Sequence, residues 1–106
     1  MNNFKNYAHF TGSNPEKYFK STLFISTNIL LGLNCLDPGQ RQDVHAHEDQ
    51  DKFYFVVEGE GKFEVGEDEQ TVSAGWTVWA PAGATHGVLN TGDERLVILV
   101  GIAPAP

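Results

Sequence analysis

Turn-forming residues interrupt this chain at short intervals, and that spacing restricts it to folds assembled from short strands. Asn14-Pro15, Asp37-Pro38-Gly39, Gly59 to Gly61, Gly66-Glu67-Asp68, Pro81-Ala82-Gly83 and Asn90-Thr91-Gly92-Asp93 contain residues that tolerate positive φ, pre-set a turn or bond their own backbone. The runs between them are rich in β-branched and aromatic residues, as in Phe53-Tyr54-Phe55-Val56-Val57, Thr77-Val78-Trp79 and Leu96-Val97-Ile98-Leu99-Val100, and these read as strands. Only the region before Leu23 leaves much room for a helix. There Pro15 to Lys20 reads either as a helical turn, with Pro15 in its first position, or as an irregular arm. Pro104 and Pro106 have no amide hydrogen to donate, so the tail should end the last strand. The pattern predicts an all-β sandwich or small barrel over residues 23–106, preceded by an N-terminal arm over 1–22.

A chain of 106 residues supports one hydrophobic core, which places all of its chemistry in a single domain. Fourteen acidic against seven basic residues give a formal charge of −7, which repels nucleic-acid backbones and anionic membranes. The apolar stretches Leu23 to Ile25 and Ile29 to Leu33 are far shorter than a bilayer span. The first twenty residues lack a basic-then-apolar leader, so a cytoplasmic location is expected. Cys35, the single cysteine, cannot form an internal disulfide and reads as a small buried hydrophobe rather than a nucleophile.

Chemistry concentrates in the histidines. In a strand, side chains two apart share a face, so His45 and His47 point the same way with Ala46 opposed to them. His86 follows the Pro81-Ala82-Gly83 turn and is placed to supply a third imidazole from a neighbouring strand. A half-exposed strand often carries two histidines without any metal, and His9, with no motif around it, reads as a surface residue. Three neutral imidazoles converging on one point would hold a transition metal and leave positions open for water or substrate.

The spacing extends beyond the histidines. The first segment reads Gly39-x5-His45-x-His47-x4-Lys52-x6-Gly59, which resembles the first motif of the cupin superfamily. The second reads Gly75-x5-Pro81-x-Gly83-x2-His86-x3-Asn90, which matches the second cupin motif at every defined position. The resemblance covers Gly39 to Asn90, about half the chain. It implies a single-domain cupin, a double-stranded β-helix or jelly-roll barrel, with His45, His47 and His86 as ligands of a divalent transition metal: Fe, Mn, Ni, Cu or Zn. Asn90 is implied to be structural. Cupins of this type place Glu, or sometimes Gln, where this chain has Lys52, and a protonated lysine offers no lone pair.

Three accounts of the site are open. The histidines alone hold the metal; or Asp51 or Gln50 reaches round as a fourth ligand; or no metal binds, and the histidines with Lys52 take a small anion. Lys52 itself reads as a catalytic group that stabilises a developing enolate or carboxylate. Its plainer reading has the stem lining the barrel mouth and the ammonium reaching water near Glu58 or Asp51. The resemblance implies a dioxygenase-like oxidoreductase acting on a small oxygen-rich substrate. The alternatives are a metal-assisted isomerase or lyase, or a sensor or carrier without turnover. Alternation places Tyr54 and Val56 inward with Lys52 and turns Phe53, Phe55 and Val57 outward. That apolar outer face, covered by a partner or by the arm, together with the habit of cupins, leads us to expect a homodimer. At least one of Trp76 and Trp79 is expected in the core.

Overall fold

The computed structural model describes residues 2–106, and its strands are β1 (Phe19–Ile25), β2 (Leu30–Leu36), β3 (Arg41–His45), β4 (Asp51–Glu58), β5 (Glu60–Val65), β6 (Asp68–Ser73), β7 (Thr77–Ala80), β8 (His86–Leu89) and β9 (Leu96–Ala103). They form two antiparallel sheets, one in the order β1-β2-β9-β4-β7 and the other in the order β3-β8-β5-β6. The fold is all-β, a double-stranded β-helix. The first strand begins at Phe19, inside the segment read as arm, and residues 15–17 are bends rather than a helical turn. The one helical element among the described residues is a 3-10 turn at Tyr7–His9, where the Asn6 side chain accepts the Ala8 amide.

Alternation along β4 builds the core. Lys52, Tyr54 and Val56 are buried while Phe53, Phe55 and Val57 are half-buried on the other face. Between the sheets, Tyr54 and Val56 meet Leu36, Phe63, Leu96 and Ile98. A second cluster lies on the five-stranded sheet: Leu23, Leu33, Cys35 and Val97, with Tyr7 and Phe10 of the arm packed against them. Polar bonds fasten the arm: Ser21 Oγ donates to the Phe10 carbonyl at 2.7 Å, and Tyr7 donates to Glu58 at 2.9 Å. Cys35 is buried, in keeping with its reading as a small hydrophobe.

Neither tryptophan enters the core, which corrects the expectation for them. Trp79 stands opposite Phe53 in the β4–β7 register, on the outward parity, and β7 is the edge of its sheet. Trp76 belongs to the turn before β7. Both are more than half exposed, at 58% for Trp79 and 51% for Trp76.

Gly59 is where the chain leaves the first sheet and enters the second, with φ of +83°. A Cβ there would lie 2.6 Å from the Arg95 carbonyl oxygen, so both the backbone angle and the close passage of β9 call for glycine.

Candidate metal centre

His45 and His86 are direct partners across the β3–β8 ladder. The register shifts between Gln42 and His45, and this irregularity sets the geometry. Strict alternation from buried Gln42 would turn Val44 inward and His45 outward. Instead Val44 is exposed and the His45 ring packs 4.4 Å from that of His86, centroid to centroid. A bulge flips parity in this way. His47 lies beyond the end of β3, so a loop delivers it rather than the strand pairing. Its ring still stands 4.8 Å from His45 and 5.7 Å from His86. The amide of Gly83 donates to the His47 carbonyl at 2.9 Å, tying the loop after β3 to the turn that leads into His86.

The donor atoms of the three histidines all lie within 4.8 Å of one another. Imidazoles bound at about 2.0–2.1 Å on adjacent coordination positions stand about 3–3.5 Å apart, so small side-chain torsions bring the three onto one ion. Hydrogen bonds fix which nitrogen faces the centre. His45 Nδ1 lies 2.8 Å from the Asp43 carbonyl and His86 Nδ1 lies 3.1 Å from that of Ala84. A carbonyl can only accept, so each Nδ1 carries the proton and each Nε2 keeps its lone pair. His86 Nε2 is the one buried side-chain nitrogen or oxygen among the described residues without a hydrogen-bond partner. Such an orphan costs on the order of 1–3 kcal/mol when nothing binds it.

Burial favours the neutral form of His86 and His47. Burial pulls His86 down to about 4, against the opposing bond to Ala84 and with help from the charge of Lys52. His47 is lowered by burial, then by His45 and Lys52. Neutral imidazole is the form that donates to a metal.

Lys52 occupies the inner face of the barrel and is only 4% exposed, its ammonium 4.8 Å from the centroid of the Tyr54 ring. It does not run out to Glu58, which instead accepts from Tyr7. Burial brings its pKa down to about 8, with the charge of Lys20 adding to the shift; most of it is protonated at neutral pH. The two groups considered as a fourth ligand are engaged elsewhere. Asp51 accepts the Ala82 amide at 2.9 Å, and Gln50 donates to the Pro104 carbonyl at 3.1 Å.

Three residues, Tyr18, Gln42 and Tyr54, escaped sequence reasoning as members of one network. Tyr54 donates to Gln42 Oε1 at 2.6 Å, and Gln42 donates to Tyr18 at 3.2 Å. The signal was slight: an amide at a position that the fold buries. Asn90, read as structural, is buried, donates to the carbonyls of Leu36 and Glu94, and accepts the Gly92 amide.

Known proteins share this build. A protein from Thermus thermophilus, TT1209, superposes with a TM-score of 0.94 at 43% identity, covering 97% of this chain and 98% of that one. The oxalate-binding protein of Thermotoga maritima is 31% identical over 67 residues, 63% of this chain and 55% of that protein. The polyketide synthase CurC of Streptomyces cyaneus is 31% identical over 81 residues, 74% of this chain and 51% of that protein. The chain thus spans about half the length of the curated relatives it matches. Among the described residues no helix is long and apolar enough to cross a membrane. The cupin domain model matches residues 32–102, from the second strand to the last, and on that match the chain belongs to the cupin family.

Proposed function

We propose that this protein is a metal-binding cupin in which His45, His47 and His86 hold one transition metal ion, Fe, Mn, Ni, Cu or Zn. In this reading Lys52 receives an acidic oxygen of a small oxygen-rich substrate. The orphaned Nε2 of His86 carries the reading: a buried lone pair aimed at two other imidazoles is accounted for by an ion. When bound, the metal supplies Lewis-acid polarisation of substrate oxygen and, if redox-active, the oxygen chemistry of a dioxygenase-like oxidoreductase. The chain's own residues orient and stabilise. Backbone carbonyls at Asp43 and Ala84 hold two of the rings in the donating tautomer. The Lys52 ammonium stands ready to balance enolate or carboxylate charge.

The oxalate-binding activity named for the Thermotoga relative supports a small oxygen-rich ligand. One observation favours a second reading. A buried ammonium near the histidines repels a divalent cation, which suits a carrier or sensor that binds without turnover, or a metal-assisted isomerase or lyase with weak metal demand.

Elemental analysis tests the metal. Protein purified without an affinity tag and offered Fe(II), Mn(II), Ni(II), Cu(II) and Zn(II) in turn should retain close to one ion per chain. His45→Ala and His86→Ala should each lose it. A wild type that retains none of the five overturns the reading. Oxygen uptake with diketones and catechol-like acids then separates an oxidoreductase from a binder.

A further inference from the structure

A cavity of about 280 Å³ lies among residues of β1, β2, β4 and β9 together with Gln42 of β3. Lys20 and Lys52 both line it, with Asn34 and Thr22 beside them and Pro106 also on its wall. Lys52 and Asn34 are buried, whereas Lys20 is exposed. In a chain of formal charge −7, two lysines would ordinarily find carboxylate partners. These do not. Among the described residues the ion pair formed is Lys62–Glu69 at 3.5 Å, and no carboxylate comes within pairing distance of Lys20 or Lys52.

The neighbours of the two ammoniums are instead aromatic faces, Tyr54 for Lys52 at 4.8 Å and Tyr18 for Lys20 at 5.9 Å. Those two tyrosines are joined through Gln42, which accepts from one and donates to the other. The result is a pair of cations facing one cavity whose wall is otherwise largely apolar, with Leu30, Val100 and Ile102 in it, and like charges that share such a space without a counter-ion destabilise each other. An anion between them would relieve that repulsion and meet the Asn34 amide as well.

We propose that this pocket is an anion subsite in which Lys20 and Lys52 together hold a small dicarboxylate. Two cationic groups match two carboxylates, and the volume suits a diacid of about four or five carbons. The subsite deepens the proposed function by naming the substrate class, and it rests on that reading only where the diacid also reaches the histidines. The anion grip itself requires no metal.

Calorimetric titration of metal-stripped protein with acetate, succinate and glutarate provides the test. The diacids should bind at least about tenfold more tightly than acetate. Lys20→Gln should remove that preference, bringing the diacids down to the affinity of acetate. Lys52→Met should abolish binding of all three, and Lys62→Gln, at a lysine outside this cavity, should keep metal-free diacid affinity within about twofold of wild type. Equal affinity for acetate and the diacids, or a Lys20→Gln variant indistinguishable from wild type, overturns the subsite. Thermal melts check folding. If Lys52→Met does not fold, the exposed Lys20 position decides alone. Diacid binding with no metal retained would keep the subsite and reject the metal reading; metal retained without diacid preference would do the reverse.

Discussion

At the scale of single residues, three ordinary side chains are placed in unusual circumstances. His86 keeps a buried lone pair without a partner, Lys52 is a buried ammonium without a carboxylate, and Cys35 is a buried thiol. The histidines were legible in the sequence because their spacing carries the geometry: two residues apart on one segment, and a Pro-Gly turn before the third. Lys20 and Asn34 were not legible, since they lie on different strands with no shared motif and meet only through sheet order. Cys35 yields a pH prediction. Burial pushes its thiol above the usual range, with a bond from Gly12 and the charge of Arg95 opposing. The unfolded thiol therefore loses its proton first, and its contribution to stability declines as pH rises through the ordinary thiol range, near 9. Reaction with a disulfide reagent at pH 8 should be slow in the native protein and at least about tenfold faster in urea, because only the unfolded chain presents a free thiolate. Rapid native reaction would show that Cys35 is accessible.

At the scale of elements, the strands followed from turns and alternation, but parity failed where a bulge intervenes. Reading β3 as a regular ladder places His45 and His47 on one face, which is right for the rings, yet Gln42 shares that interior only because the register slips before His45. No local residue pattern announces such a slip. The tryptophans show the same limit from the other side: hydrophobicity argues for the core, while edge position and outward parity decide for solvent at Trp79, and Trp76 sits in the turn before β7. Crossings between sheets are equally demanding. At Gly59→Ala, left-handed backbone strain of about 1–2 kcal/mol adds to crowding against Arg95 and Leu96, itself worth about 1–3 kcal/mol. Gly39 has nearly the same angle, φ +84°, but open space where a Cβ would go. Urea denaturation should therefore show a loss of about 2–5 kcal/mol for Gly59→Ala and about 1–2 kcal/mol for Gly39→Ala. Equal losses would mean that the passage of β9 beside Gly59 is not tight.

At the scale of the molecule, the arm covers the outer face of the five-stranded sheet over β1, β2 and β9, where Tyr7 and Phe10 pack on Leu33 and Cys35. Toward β4 and β7 that face ends in half-buried Phe53 and exposed Trp79, which oppose each other in register. We propose that a second copy covers this remainder, giving a homodimer. Light scattering coupled to gel filtration should read twice the 11.7 kDa of one chain, and Trp79→Glu should return it to a monomer. A monomeric wild type at tens of micromolar would reject the dimer. The two sheets also differ in when they can be completed. The strand at the centre of the five-stranded sheet, β9, is the last in sequence, and it pairs with both β2 and β4. During synthesis those two strands emerge with their facing edges unpaired, and they stay so until residues 96–103 arrive. A nascent chain stopped before β9 is accordingly the form most open to edge-to-edge aggregation, and β9, made after the other eight, is the strand that relieves it.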